Sequence, residues 1–324
     1  MSRWLVPAIA VLLLLSAQPV LGAQTRNSVR NFANLATVSC HNPEGIEADA
    51  SGNLYAAGLS GNICVVNQSG QVTRVIPVAT GHALLGELLV PGEGLYVADN
   101  NGDFSGGRVV RVNLANGVVT QIADGFGAPN AFERRNGLLY VSDSFAGAVY
   151  TVNPRTLEKR LWKQDVLLQP AGNPPFGANG LAFDSKGRYL YVANTSTDRI
   201  LRIPVNRDGS AGQTVQIFAD GATINAKQRT TGALDGADGI VFDRSGRLWV
   251  CANQANEIQV LSRGGSLTKR FSGAGDNAMV FPASPIFVGR ALYVTNLYLG
   301  AFGGKLSVLD TQDNNDDDNN NTDD

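Results

Sequence analysis

The sequence predicts an all-β fold, a six-bladed β-propeller with four antiparallel strands per blade, and three observations carry that expectation. An aromatic residue in a short apolar run recurs as Tyr55, Tyr96, Tyr140, Tyr191, Trp249 and Tyr293, at intervals of roughly 40 to 60 residues, the period of stacked supersecondary units. Each unit divides into short alternating runs bounded by Gly, Asn and Asp, which are strand and turn signals. The last unit ends at "KLSVLD" without a convincing fourth strand, while "NFANLATVS" stands unassigned before the first. Pairing the two ends closes the ring with an N-terminal strand and removes an exposed edge.

Taken in chain order, Arg3 precedes an apolar run from Trp4 to Leu15, and Ser16 to Ala23 is small and weakly polar. That pattern predicts a secretory signal peptide over residues 1–23, because the apolar core is shorter than the ~20 residues a membrane span needs. Export to the periplasm or the exterior follows, with no stable membrane anchor. Residues 27–311 are assigned to the propeller, one domain with no helical lid. Its fourth unit shows the strands most plainly: "GLAFD", turn "SKGR", "YLYVAN", loop "TSTD", "RILRIPV", turn "NRDGSAGQ" and "TVQIFAD". Residues 312–324 are mostly asparagine and aspartate with no apolar side chain to bury, so a disordered acidic tail is expected there.

Composition narrows the function classes. The chain has 324 residues and 37 glycines, with 26 basic and 28 acidic residues. Setting aside Arg3 and the six aspartates of the tail leaves 25 basic against 22 acidic residues. A body so close to neutral lacks the basic surface that nucleic-acid binding needs; a small-molecule substrate and a monomer are the expectation. Three cysteines, Cys40, Cys64 and Cys251, allow at most one intrachain bridge. Cys40 and Cys64 share the first repeat and form one candidate pair; buried free thiols are the other reading.

The first strand of every propeller blade lines the central channel, so residues at its entrance converge on one axis. Counting back from the aromatic anchors gives Glu44 in "NPEGIEAD", Glu87 in "LGELLV", Asn130 in "APNAFE", Asn179 in "GANGLAFD", Asp238 in "GADGIVFD" and Ser284 in "PASPIFV". Asn and Asp alone are turn residues that satisfy their own backbone. Glu44, Asn130, Asn179 and Asp238 together form a ring of oxygen donors, and Glu has no turn preference. Calcium takes six to eight hard oxygen ligands, whereas zinc and copper favour nitrogen or sulfur. Four protein donors leave positions open for water or substrate, so the predicted cofactor is Ca2+ or another oxygen-preferring divalent ion in an open site.

The segments "PEGIEADASGNLY", "PNAFERRNGLLYVSD", "NGLAFDSKGRYLYVANTSTDRILRI" and "DGIVFDRSGRLWVC" resemble, in the expected order, the strand-entrance motifs of the SMP-30/gluconolactonase/LRE family, whose calcium-dependent relatives include diisopropyl fluorophosphatase. The resemblance covers nearly the whole mature chain. It implies that Glu44, Asn179 and Asp238 bind the metal, that Asn130 binds metal or substrate, and that Asp238 doubles as base or nucleophile. "GFGAP" stands just before Asn130, where the sugar-lactone branch places a substrate-binding arginine. The expected activity is therefore metal-assisted hydrolysis of a lactone or related ester.

Loops after the second strands supply the rim, and Asp143 and Asn194 are the candidates there for substrate contact. His41 and His82, the only two histidines, precede first-strand entrances and are auxiliary candidates with Glu87. Two rival readings come from other classes. One is a non-catalytic secreted binding propeller of the NHL type, since fold does not dictate function. The other is a propeller enzyme resembling strictosidine synthase or streptogramin lyases.

Overall fold

The computed structural model describes residues 29–36, 39–298 and 303–311; the expected signal peptide and acidic tail lie outside them. The described residues build six four-stranded antiparallel sheets, five of them in the order of the chain from the innermost strand outward and the sixth completed by a strand from the N-terminal end. The six inner strands are Pro43–Ala48, Ala83–Val90, Pro129–Arg135, Ala178–Phe183, Ala237–Phe242 and Pro282–Val288. Neighbouring inner strands are in contact around the whole ring, the sixth with the first.

The ring closes as expected. Blade six takes three strands from the C-terminal end of the propeller, and its outer strand is Val29–Asn34. Val29 faces Leu309 and Asn34 faces Lys305 in that antiparallel pair, with a bulge between Asn31 and Ala33. Strand pairing between the two ends leaves Lys305–Asp310 without a free edge.

The periodic aromatic residues hold adjacent blades together. Tyr140 of blade three packs edge-on against Phe183 of blade four at 5.0 Å between ring centroids. Tyr191 of blade four meets Phe242 of blade five at 4.9 Å, and Trp249 of blade five meets Phe287 of blade six at 5.6 Å. Edge-to-face pairs of this kind add to the burial of large apolar rings. The repeat seen in the sequence is thus an inter-blade ring contact in blades three, four and five, whereas Tyr293 packs on Phe32 within blade six.

One feature goes beyond the sequence expectation and another decides between its two readings of the cysteines. An α-helix, Gly221–Gln228, fills the crossover from blade four to blade five; the Asp220 side chain caps it by accepting a hydrogen bond from Thr223 N, and Arg199 holds the other Asp220 oxygen. Its weak amphipathic pattern hid it, since only Gly221 and Ile224 are buried. Cys40 and Cys64 form a disulfide that ties the approach to blade one onto its third strand, leaving Cys251 a buried free thiol.

Candidate metal centre

Each inner strand carries the same irregularity near its entrance, where three residues advance against two on the second strand. Pro43 faces Gly58 and Ile46 faces Ala56; Ala178 faces Asn194 and Leu181 faces Val192. The residue just inside that entrance is Glu44, Leu85, Asn130, Asn179, Asp238 and Ala283 in blades one to six. Close approach of the strands requires a small residue next: a Cβ on Gly86 would lie 2.3 Å from Asn130 O, and one on Gly180 would lie 2.3 Å from Asp238 O.

The four predicted donors therefore occupy one level of the channel, and all four are at least 95% buried. Glu87 and Ser284 do not share that level, which corrects the register read from the sequence. Glu87 sits two residues deeper than Leu85, and Ser284 one residue deeper than Ala283. The ring position lies 10 to 12 residues before the aromatic anchor, depending on the length of the intervening turn, so a fixed count slips.

Glu44 and Asp238 feel each other's charge across the ring. Burial, and then the Asp238 carboxylate, hold the Glu44 carboxyl well above the usual carboxylate range. Burial likewise raises Asp238, opposed by hydrogen bonds from Asn253 and Asn179. Glu44 Oε2 is buried with no hydrogen-bond partner. Buried carboxylates without compensation are costly, and a cation is the partner that relieves them. Among the described residues no three His, Cys, Asp or Glu side chains gather into one ligand set; here two carboxylates are joined by two amides, an all-oxygen set that fits calcium.

Hydroxyl groups that sequence reasoning missed brace these donors. Ser144 Oγ accepts from Asn130 Nδ2 at 3.3 Å and donates to Ala178 O of the next blade at 2.8 Å. Thr195 repeats the arrangement one blade later, accepting from Asn179 Nδ2 at 2.9 Å and donating to Ala237 O at 2.8 Å. Asn253 Nδ2 donates to Asp238 Oδ2 at 3.0 Å. With their nitrogens committed to hydroxyls, the two amides keep their carbonyl oxygens for a ligand. The signal was present in the polar doublets Asp143-Ser144 and Asn194-Thr195, whose second member carries the hydroxyl.

The first members of those doublets are occupied otherwise. Asp143 accepts from the backbone N–H groups of Gly127, Ala128 and Ala146, and it is 1% exposed. Asn194 donates to Leu167 O and Gln169 O. Both fasten loops, so the structure gives neither the free polar group that substrate contact needs. His82 Nδ1 lies 2.7 Å from Asp99 Oδ1, whose other oxygen takes Arg108 Nε at 2.7 Å; His41 Nδ1 lies 2.8 Å from Asn42 Oδ1. The two histidines thus have separate partners in separate blades.

Past the ring, the channel opens into a cavity of about 280 Å³ lined by the continuing inner strands, including Glu47, Glu87 and Glu133. Burial pushes Glu47 up to about 8 and Glu133 up to about 7. Glu87, with neither carboxylate oxygen hydrogen-bonded, is raised well above its usual value by burial and by the charges of Glu47 and Glu44.

Fold and site together define a β-propeller with an axial ring of oxygen donors. Residues 167–298 match the family described as the SMP-30/Gluconolactonase/LRE-like region, the family that the ring motifs resemble, and residues 32–66 match the N-terminal region of strictosidine synthase-like proteins. The chain is thus a six-bladed propeller whose residues 167–298 are similar to that family's region. Among solved structures it is similar to the calcium-binding protein regucalcin from Agrobacterium tumefaciens, with 18% identity, 86% of this chain and 93% of that one covered, and a TM-score of 0.64. A gluconolactonase from Xanthomonas campestris gives 17% identity, 91% and 93% coverage and the same TM-score of 0.64. Virginiamycin B lyase from Staphylococcus aureus gives 14% identity, 87% and 98% coverage and a TM-score of 0.56. At these identities the likeness establishes the fold. No curated protein sequence matches the chain.

Proposed function

We propose that the protein is an exported, calcium-dependent hydrolase of a lactone or related ester. The observation that supports this reading most directly is the ring of Glu44, Asn130, Asn179 and Asp238, four buried oxygen-bearing side chains at one level with an unpartnered Glu44 oxygen among them. The match of residues 167–298 points the same way.

Glu44, Asn130, Asn179 and Asp238 would hold a calcium ion, which would supply a Lewis acid for the substrate carbonyl and for the negative charge that develops on its oxygen. Glu44 and Asp238 bring the two negative charges that balance the cation, and Asn130 and Asn179 bring neutral oxygens fixed by Ser144 and Thr195. Asp238, held by Asn253, takes the proton of the attacking water and returns it to the alkoxide oxygen as the ester C–O bond breaks, or attacks the carbonyl carbon itself, expelling that alkoxide, and is freed by water. Leu85 and Ala283 leave blades two and six without a donor, so the ring is open to a substrate oxygen on those sides.

The test combines metal analysis of the purified protein with a panel of lactones, aryl esters and phosphotriesters. Stoichiometric calcium with lactone turnover that vanishes on chelation is the expected result; tight calcium binding with no turnover across the panel would sink the hydrolase reading and leave a binding propeller. The match of residues 32–66 favours a second reading, a synthase or lyase on the same scaffold, and activity that survives complete removal of the metal would select it.

A further inference from the structure

Above the ring the channel mouth is not symmetric. Three phenylalanines from successive blades meet on one side of it: Phe104 from the loop after Gly94–Asn100, Phe145 from the loop after Leu138–Asp143, and Phe176 from the approach to Ala178–Phe183. Their ring centroids are separated by 6.3 Å for Phe104 and Phe145, 6.0 Å for Phe104 and Phe176, and 5.3 Å for Phe145 and Phe176. Residues about 30 to 70 positions apart in the chain thus make one continuous aromatic surface.

Backbone contacts fix that surface to the donors. Phe145 follows Ser144, the residue that holds the Asn130 amide, and Gly177, next to Phe176, donates to Ser144 O at 2.8 Å. Phe176 O in turn accepts from Ser196 N at 2.9 Å, beside the Thr195 that braces Asn179. Phe145 is 36% exposed, so the surface is open at the mouth. Below it, blade two places the apolar Leu85 at the donor level, and Leu59 and Phe104 pack on the same apolar cluster. Arg108, the cation of the same blade, is tied through Nε to Asp99 at 2.7 Å.

We propose that this wall binds the non-polar substituent of the substrate, so that the protein takes alkyl- or aryl-substituted lactones and esters in preference to polyhydroxylated sugar lactones. The inference rests on the hydrolase reading for its reacting group and on the aromatic wall for its selectivity. With the lactone carbonyl at the ring, a chain leaving over blades two to four meets Leu85, Phe104, Phe145 and Phe176. Hydroxyl groups in the same place would lose their water without gaining partners, which polar groups resist strongly.

The experiment compares kcat/KM of the calcium-loaded protein for δ-decalactone, δ-valerolactone and glucono-δ-lactone. The pentyl-bearing decalactone should be favoured over both by about tenfold or more, a discrimination that a few methylenes in an apolar site readily supply. Phe145→Ser and Phe176→Ser should each shrink the decalactone-to-valerolactone ratio severalfold, mainly through KM. Equal turnover of the three lactones, or equal losses on all of them in the variants, would overturn the proposal. If no lactone is turned over, the hydrolase reading has failed, and the wall is judged by calorimetry with the δ-lactam that carries the same pentyl chain. Binding by the native protein that Phe145→Ser weakens tenfold sustains the apolar subsite; no binding by the native protein overturns it.

Discussion

At the residue scale the candidate centre depends on a division of labour between oxygens that face the axis and groups that hold them. Asp238→Asn keeps an oxygen at the ring but removes charge and basicity. At saturating calcium, hydrolysis should fall by a factor on the order of a hundred or more, the range expected for losing a general base; unchanged turnover would exclude Asp238 from the chemistry. Ser144→Ala tests the brace instead. It frees the Asn130 amide and leaves Ala178 O without its donor, so calcium affinity measured by titration should drop about tenfold, as for other outer partners of metal ligands. An affinity within twofold of the native value would show that the hydroxyl does not position the amide. Cys251 lies close enough to Asp238 and Glu44 to feel their charges, and burial with those charges keeps its thiol protonated, so it is no rival nucleophile.

At the element scale the inner strands set both the ring and the cavity past it. Glu47 Oε2 accepts from Ala48 N and Glu133 Oε1 from Phe183 N, and both carboxyls titrate higher in the fold than the usual 4.5. A carboxyl raised on folding favours the native state fully below the unfolded value and loses that contribution as pH climbs through the folded one. Stability should therefore decline between about pH 5 and 8 from this source. Thermal midpoints of a Glu47→Gln, Glu133→Gln double variant should fall less than those of the native protein across that interval; parallel profiles would remove the two glutamates from the account. The outer strand of blade six offers a second test. Deleting residues up to Asn34 strips Val29 and Ala33 from the core and bares the edge of Lys305–Asp310. A midpoint lowered on the order of ten degrees, with aggregation, is the expected outcome, and a variant as stable and monodisperse as the native protein would contradict the closure.

At the scale of the whole molecule, one ion on the axis would touch blades one, three, four and five at once. Calcium that binds only the native ring adds about 2.7 kcal/mol when its concentration is a hundredfold above the dissociation constant. Chelation should lower the midpoint by about five degrees, with recovery when calcium is restored and little recovery with magnesium, which dehydrates reluctantly and demands a tighter octahedron. A midpoint indifferent to chelator would mean that no stabilising ion occupies the ring.

The sequence by itself determined the blade count, the closure and the four ring donors, because each is written in a local pattern that repeats. Tyr140, Tyr191 and Trp249 recur because each packs a large ring against the next blade, and Val29–Asn34 is required because Lys305–Asp310 lacks an outer neighbour within its own unit. Glu44, Asn130, Asn179 and Asp238 stood out because each is an oxygen-bearing side chain at the strand entrance counted back from an aromatic anchor. Only the tertiary structure decided that Leu85 and Ala283, rather than Glu87 and Ser284, complete that level, since the turn between strands varies in length and a count along the chain cannot see which backbones pair. It also decided that Ser144 and Thr195 brace amides and that Phe104, Phe145 and Phe176 share a surface. Those contacts join loops of different blades, and their distances are set by how the sheets pack around the axis rather than by spacing along the chain.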